Sequence, residues 1–131
     1  MEKAAEDDKH KPVSWIYSST FDGLNTLKYF EFENSDIRFI DMWAFRNCSL
    51  NAEDLKLQNT KLLYLGQYAF NRGIYSSSKA YISLPHTLTY VNYNCMTFLS
   101  CTGGIELTIG TEQNLSTMNL NTADGQTRIF N

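Results

Sequence analysis

Apolar residues along this chain return at fixed long intervals rather than in helical stripes. Two segments show the pattern most fully: LKYFEFENSDIRFIDMWAFRNC, from Leu27 to Cys48, and EDLKLQNTKLLYLGQYAFNRG, from Glu53 to Gly73. Aligning their Ala-Phe pairs sets Phe32 on Leu57, Ile37 on Leu62, Ile40 on Leu65, Ala44 on Ala69 and Phe45 on Phe70, a constant shift of 25 residues. Ile82, Leu84, Leu88, Val91, Cys95 and Met96 continue the series at shifts of 25 to 27. A fourth copy runs through Leu107, Ile109, Leu115 and Met118 and fades near Ala123, while Val13, Ile16, Thr20 and Phe21 match the second half of a unit. The spacings inside the units recur in the same order, with Ile37 to Ile40, Leu62 to Leu65 and Leu88 to Val91 three apart, and Ile40 to Ala44, Leu65 to Ala69 and Val91 to Cys95 four apart. Self-similarity at such a period is the signature of stacked coils.

Each unit reads as a small set of pieces. Phe30-Glu31-Phe32, Leu55-Lys56-Leu57 and Ile82-Ser83-Leu84 alternate apolar and polar, which predicts half-buried strands. Turn-forming residues follow at Asn34-Ser35, Asn59-Thr60 and Pro85-His86. A second extended piece carries the apolar pair three apart, and the small and large residues of the Ala-Phe pair then fill the coil. No unit can bury its apolar side alone, so stacking must build the core, with parallel strands forming a ribbon along one side.

These residues resemble the BspA-type leucine-rich repeats, whose pattern is an I-x-L-P strand, an L-x-x-I pair and then A-F-x-x-C. The chain quotes it as ISLP at Ile82 to Pro85, YLGQYAF at Tyr64 to Phe70 and AFRNC at Ala44 to Cys48. The resemblance covers roughly residues 13–120. Gly73 stands where the second unit should carry Cys, Cys95-Met96 replaces Ala-Phe in the third, and the fourth lacks Ala-Phe altogether. The implied fold is mainly β with short irregular or helical returns: a solenoid of about four coils with a parallel β ribbon, spanning residues 13–123. The family also implies a surface-exposed interaction protein, at the cell surface or outside the cell.

Length and composition fit one domain, with 43% hydrophobic residues in 131. Eight Tyr and eight Phe suit a narrow coil that needs large fillers. The net charge of −3 is small and the eleven Lys and Arg are scattered, which argues against nucleic acid as a partner. No apolar run is long enough to span a membrane. Residues 1–12 differ in kind: Glu2, Lys3, Glu6, Asp7, Asp8, Lys9 and Lys11 make a charged tail or a short capping helix, with no apolar stretch of a secretory signal. Residues 124–131 form a second tail or cap. The half-unit start leaves a fragment of a longer solenoid as an alternative to a capped end.

Candidate chemistry is sparse. Cys48 occupies the family's Cys position and Cys95 the Ala position, so both read as small buried apolar groups. A Cys95–Cys101 bridge is allowed by spacing and not established by it. His10 lies in the tail and His86 in a turn, and two distant His residues without a CxxC make no zinc site. Neither GxSxG, HExxH nor a P-loop is present. Gly103-Gly104 precedes a strand and reads as a turn. Glu31 and Glu33 read as surface residues of the ribbon rather than an acid–base pair. The expectation is a non-enzymatic chain without metal or cofactor.

Two exposed columns remain. On the ribbon stand Tyr29, Glu31 and Glu33, then Asp54, Lys56 and Gln58, then Tyr81 and Ser83, then Glu106 and Thr108. The second column lies within Arg38-Phe39, Leu63-Tyr64 and Thr89-Tyr90, and stacks Phe39, Tyr64 and Tyr90 in one row. That row either covers neighbouring coils or forms an aromatic platform, and tyrosines are enriched in interfaces. The leading expectation is a protein-binding repeat module using the ribbon or this row. A structural solenoid segment that self-associates through its coil ends, and a carbohydrate-binding surface, are the alternatives.

Overall fold

The computed structural model describes residues 13–92, 94–97, 99–109 and 119–121, and the chain winds through them as a series of short parallel strands. In chain order these are β1 (Trp15–Ile16), β2 (Phe39–Ile40), β3 (Leu50–Asn51), β4 (Tyr64–Leu65), β5 (Ile74–Ser76), β6 (Ala80–Leu84), β7 (Tyr90–Asn92), β8 (Ser100–Cys101), β9 (Ile105–Ile109) and β10 (Asn119–Asn121). Three parallel sheets result: β1-β2-β4-β7-β10, β3-β5-β8 and β6-β9. Successive strands of each sheet come from successive coils, so the solenoid of about four turns expected from the repeat is the fold.

The aligned apolar positions form the core. Ile37, Ile40, Ala44, Phe45, Leu57, Leu62, Leu65, Ala69, Phe70, Ile82, Leu84, Leu88, Val91, Cys95 and Met96 are all buried. A spine of phenylalanines runs along the axis: Phe21 stacks on Phe45 with centroids 5.1 Å apart, and Phe45 on Phe70 at 5.3 Å with planes 6° from parallel. Met96 is buried where the series leaves phenylalanine.

The Ala-Phe turns alternate two kinds of backbone hydrogen bond. The amides of Trp43, Phe45 and Asn47 donate to Gln67 O, Ala69 O and Asn71 O of the next coil, while those of Ala44 and Arg46 donate locally to Asp41 O and Trp43 O. Ser19, Phe21 and Gly23 repeat the scheme toward Met42, Ala44 and Arg46. Alternation needs left-handed residues at both edges of the turn, and they recur in register: Ser19, Trp43, Tyr68 and Asn94 on one side, Gly23, Asn47 and Arg72 on the other. Among the described residues glycine serves the second column once, at Gly23, and Asn47 and Arg72 hold there a conformation that L-residues ordinarily avoid.

The ribbon differs from the expectation. Phe30-Glu31-Phe32 forms no strand: the Phe32 amide closes a tight turn onto Phe30 O, and both rings pack against each other (4.7 Å) and on Phe45. In a strand these two rings would also share one face, so it is the local closure of the Phe32 amide on Phe30 O that removes the extended backbone a strand requires. Leu55-Lys56-Leu57 is likewise no strand. A 3-10 turn at Ala52–Asp54 and another at Leu57–Asn59 flank Lys56, which is left-handed (φ 48°). The ribbon is therefore β6 and β9 alone, paired Ile82 to Leu107 and Leu84 to Ile109 as the repeat alignment requires. The turns at Asn34-Ser35, Asn59-Thr60 and Pro85-His86 form, closed by Ser35 N to Phe32 O, Thr60 N to Leu57 O and Leu88 N to Pro85 O.

The last coil is also out of the expected register. Val91 pairs with Leu120 rather than Met118, because the connection between β9 and β10 is two residues longer than the alignment allowed. Met118, Leu115 and the tails at 1–12 and 124–131 lie outside the described residues.

Candidate functional site

The five-stranded sheet carries the aromatic row. Register places Trp15 opposite Phe39, Phe39 opposite Tyr64, and Tyr64 opposite Tyr90. Ile16, Ile40, Leu65 and Val91 follow these residues and point inward, so the strand alternation turns the aromatics outward. Ring centroids are 4.9 Å apart for Trp15–Phe39, 6.3 Å for Phe39–Tyr64 and 5.1 Å for Tyr64–Tyr90. Tyr17, 66% exposed, stacks on Trp15 at 5.4 Å from the neighbouring outward column. Counting one residue back from Ile16, which aligns with Ile40, reveals Trp15; the sequence reading stopped at Phe39.

The next outward position along the strands carries Tyr17, Asp41 and Gly66, with Asn92 on β7. Asp41 accepts from Trp15 Nε1 at 3.3 Å and from the Met42 amide at 2.8 Å. Burial pushes the Tyr64 phenol upward, opposed by a hydrogen bond with the Asn92 side chain, while Asp41 and Tyr90 add to the rise. The row is thus an apolar strip with a polar margin.

The expected ribbon residues lie in a sheet only in the last two coils. Tyr81 pairs with Glu106 and Ser83 with Thr108 across β6 and β9. Tyr29, Glu31 and Lys56 are exposed on irregular coil, Gln58 is exposed on the 3-10 turn Leu57–Asn59, and Glu33 and Asp54 are half-buried. The carboxylates of Glu31 and Glu33 are engaged in structure: Asn34 Nδ2 donates to Glu31 at 2.7 Å, and Asn59 Nδ2 to Glu33 at 2.6 Å, tying adjacent coils. Asp54 lies 3.5 Å from Asn51 Nδ2.

The cysteines are three free thiols, so the Cys95–Cys101 bridge does not form. Desolvation pushes Cys95 up to about 12. Desolvation first, and then the charge of Asp22, push Cys48 up to about 11, and its Sγ lies 3.2 Å from Phe21 O. Neither is a nucleophile near neutral pH. His86 is exposed in its turn. Among the described residues no group of three or more His, Cys, Asp or Glu is placed to hold a metal ion, and no helix is long and apolar enough to cross a membrane.

Comparison with known proteins agrees with the coil geometry. The family model of the BspA type leucine rich repeat region, written for six copies, matches residues 9–122. No curated protein and no solved structure matches the chain. A match over most of the sequence, on a solenoid whose buried positions are the repeat's own, makes this chain a member of the BspA-type leucine-rich repeat family.

Proposed function

We propose that the chain is a non-enzymatic protein-binding module whose contact surface is the row Trp15, Phe39, Tyr64 and Tyr90. The observation that carries this reading is the row's continuity: four aromatic residues in register on the five-stranded sheet, with ring contacts throughout. Such a strip offers large, stiff contact area with polar tips, the composition favoured at the centre of protein interfaces. Stacking also argues against a sugar on this row. Tyr64 and Tyr90 cover each other's faces and present edges and hydroxyls, whereas a sugar ring needs an uncovered aromatic face. Proteins of this family are commonly surface-associated, so the partner is a protein met at a cell surface.

Two variants separate the two candidate faces. A partner bound by the row is lost with Tyr64→Ala plus Tyr90→Ala and kept with Glu31→Lys plus Lys56→Glu, in proteins whose circular dichroism matches the parent. Loss only in the charge-reversed variant would move the site to the coil surface around Lys56.

A structural segment is the second reading, favoured by Val13, Trp15, Tyr17 and Leu24, all exposed in the first described coil. It predicts mass that grows with concentration in light scattering, whereas a monomer of 15.0 kDa across the series would oppose it.

A further inference from the structure

The sheet β3-β5-β8, which no repeat position singled out in the sequence, contributes residues to two cavities. One, of about 310 Å³, is lined by Lys28, Ser49, Asn51 and Tyr75. The other, of about 380 Å³, has Glu53, Ser78, Lys79 and Tyr81 in its wall. Asn51 and Tyr75 line the first and their chain neighbours Ala52 and Ser76 the second, so two segments of backbone run directly from one wall into the other. Each falls in the size range of small-molecule sites. The outward column is fixed by the backbone: the Asn51 amide donates to Lys28 O at 3.0 Å, and Asn51 is in register with Tyr75. The loop from Tyr75 to Tyr81 is held by the Ser78 amide donating to Ser76 Oγ at 3.2 Å.

We propose that this corner groove binds a neutral oligosaccharide. Its tyrosines differ from those of the row. Tyr75 is 45% exposed and, among the described residues, stacks on no other aromatic ring. Tyr81 is 65% exposed and its ring contact is the Lys79 ammonium, 5.4 Å from the centroid. A sugar presents an apolar C–H face to an open ring and hydroxyls to the amide, hydroxyl and charged groups around it, and this groove supplies both. The charge balance selects against anions. Lys79 is held by Glu106 at 2.9 Å, and Glu53 lies in the same wall, so the cations do not form an uncompensated cluster for a phosphate or nucleotide. The site is on a different sheet from the aromatic row, and the two stand or fall separately.

The test is a set of two-dimensional NMR titrations of the full chain with cellotetraose, maltotetraose, mannotetraose and chitotetraose, each to about 10 mM, and with inorganic phosphate as the anionic control. The proposal expects at least one tetrasaccharide to shift the amides of Asn51, Tyr75 and Tyr81 saturably. Tyr75→Ala should then weaken binding roughly tenfold or more, and Tyr64→Ala should leave it unchanged. Lys28→Ala replaces Tyr75→Ala if that variant loses its dispersed spectrum. No shift with any sugar, shifts centred on Phe39, Tyr64 and Tyr90, a response to phosphate alone, or unchanged binding in the groove variant would each overturn it.

Discussion

Tyr64 and Tyr90 lie face to face across β4 and β7, their ring centroids 5.1 Å apart and their planes 13° from parallel. They are in-register partners of a parallel pair, so the backbone ladder sets the distance at which the rings meet. A double-mutant cycle with Tyr64→Ala and Tyr90→Ala should return a coupling of about 0.5–1.5 kcal/mol beyond the two single losses. Strict additivity would mean that the rings stack only because the strands bring them there.

Restoring the family's cysteine in the second unit should harm the protein. A Cβ at residue 73 would stand 2.2 Å from Phe45 O, on backbone that cannot swing aside. Gly73→Cys should therefore destabilise by roughly 1–3 kcal/mol, read as a lower midpoint in urea. An unchanged midpoint would show that the Phe45 coil can shift to admit the side chain.

Lys56 offers the opposite case. It is exposed, left-handed at φ 48° and bonded to no cap. Asparagine tolerates that conformation better, so Lys56→Asn should raise stability by a few tenths to about 1 kcal/mol. A loss of stability would mean that the lysine side chain makes a favourable contact in the fold.

Thiol chemistry checks the core. With Cys95 raised to about 12 and Cys48 to about 11, both stay protonated in the fold at pH 8, and a thiol reagent should modify Cys101 first. All three should react together in denaturant. The sign for stability follows. An unfolded thiol ionises near its ordinary value while the buried ones hold their protons, so unfolding is favoured progressively as pH climbs from about 9 toward 11 and 12. Equal reactivity of Cys95 and Cys101 in the native protein would contradict the packing.

The inward positions were legible in the sequence because burial is repeated: Ala44 over Ala69, Phe45 over Phe70 and Ile40 over Leu65 obey one spacing. The outward row was legible for the same reason, since Phe39, Tyr64 and Tyr90 each precede such a position. The strands at Phe30–Phe32 and Leu55–Leu57 were misread. Alternation of two apolar residues describes a strand and a tight turn equally well, and the Phe32-to-Phe30 backbone closure or a left-handed Lys56 decides between them. The register of Val91 with Leu120 was hidden because Leu115 and Met118 offer an apolar pair three apart, with the same spacing as Leu88 and Val91, two residues too early. The β3-β5-β8 sheet was missed because Asn51, Tyr75 and Ser100 share a position without sharing a chemistry.

The alternating turns have a direction. Amides of Ser19, Phe21 and Gly23, of Trp43, Phe45 and Asn47, and of Phe70 and Arg72 all donate toward the following coil, and their acceptor carbonyls face back. These peptide dipoles add along the axis instead of cancelling, as they do in a helix. The turn side of the solenoid therefore carries an electrical polarity that owes nothing to charged side chains, positive toward the C-terminal coils and negative toward the first. Two copies meeting end to end along that side would attract in head-to-tail order and repel head to head.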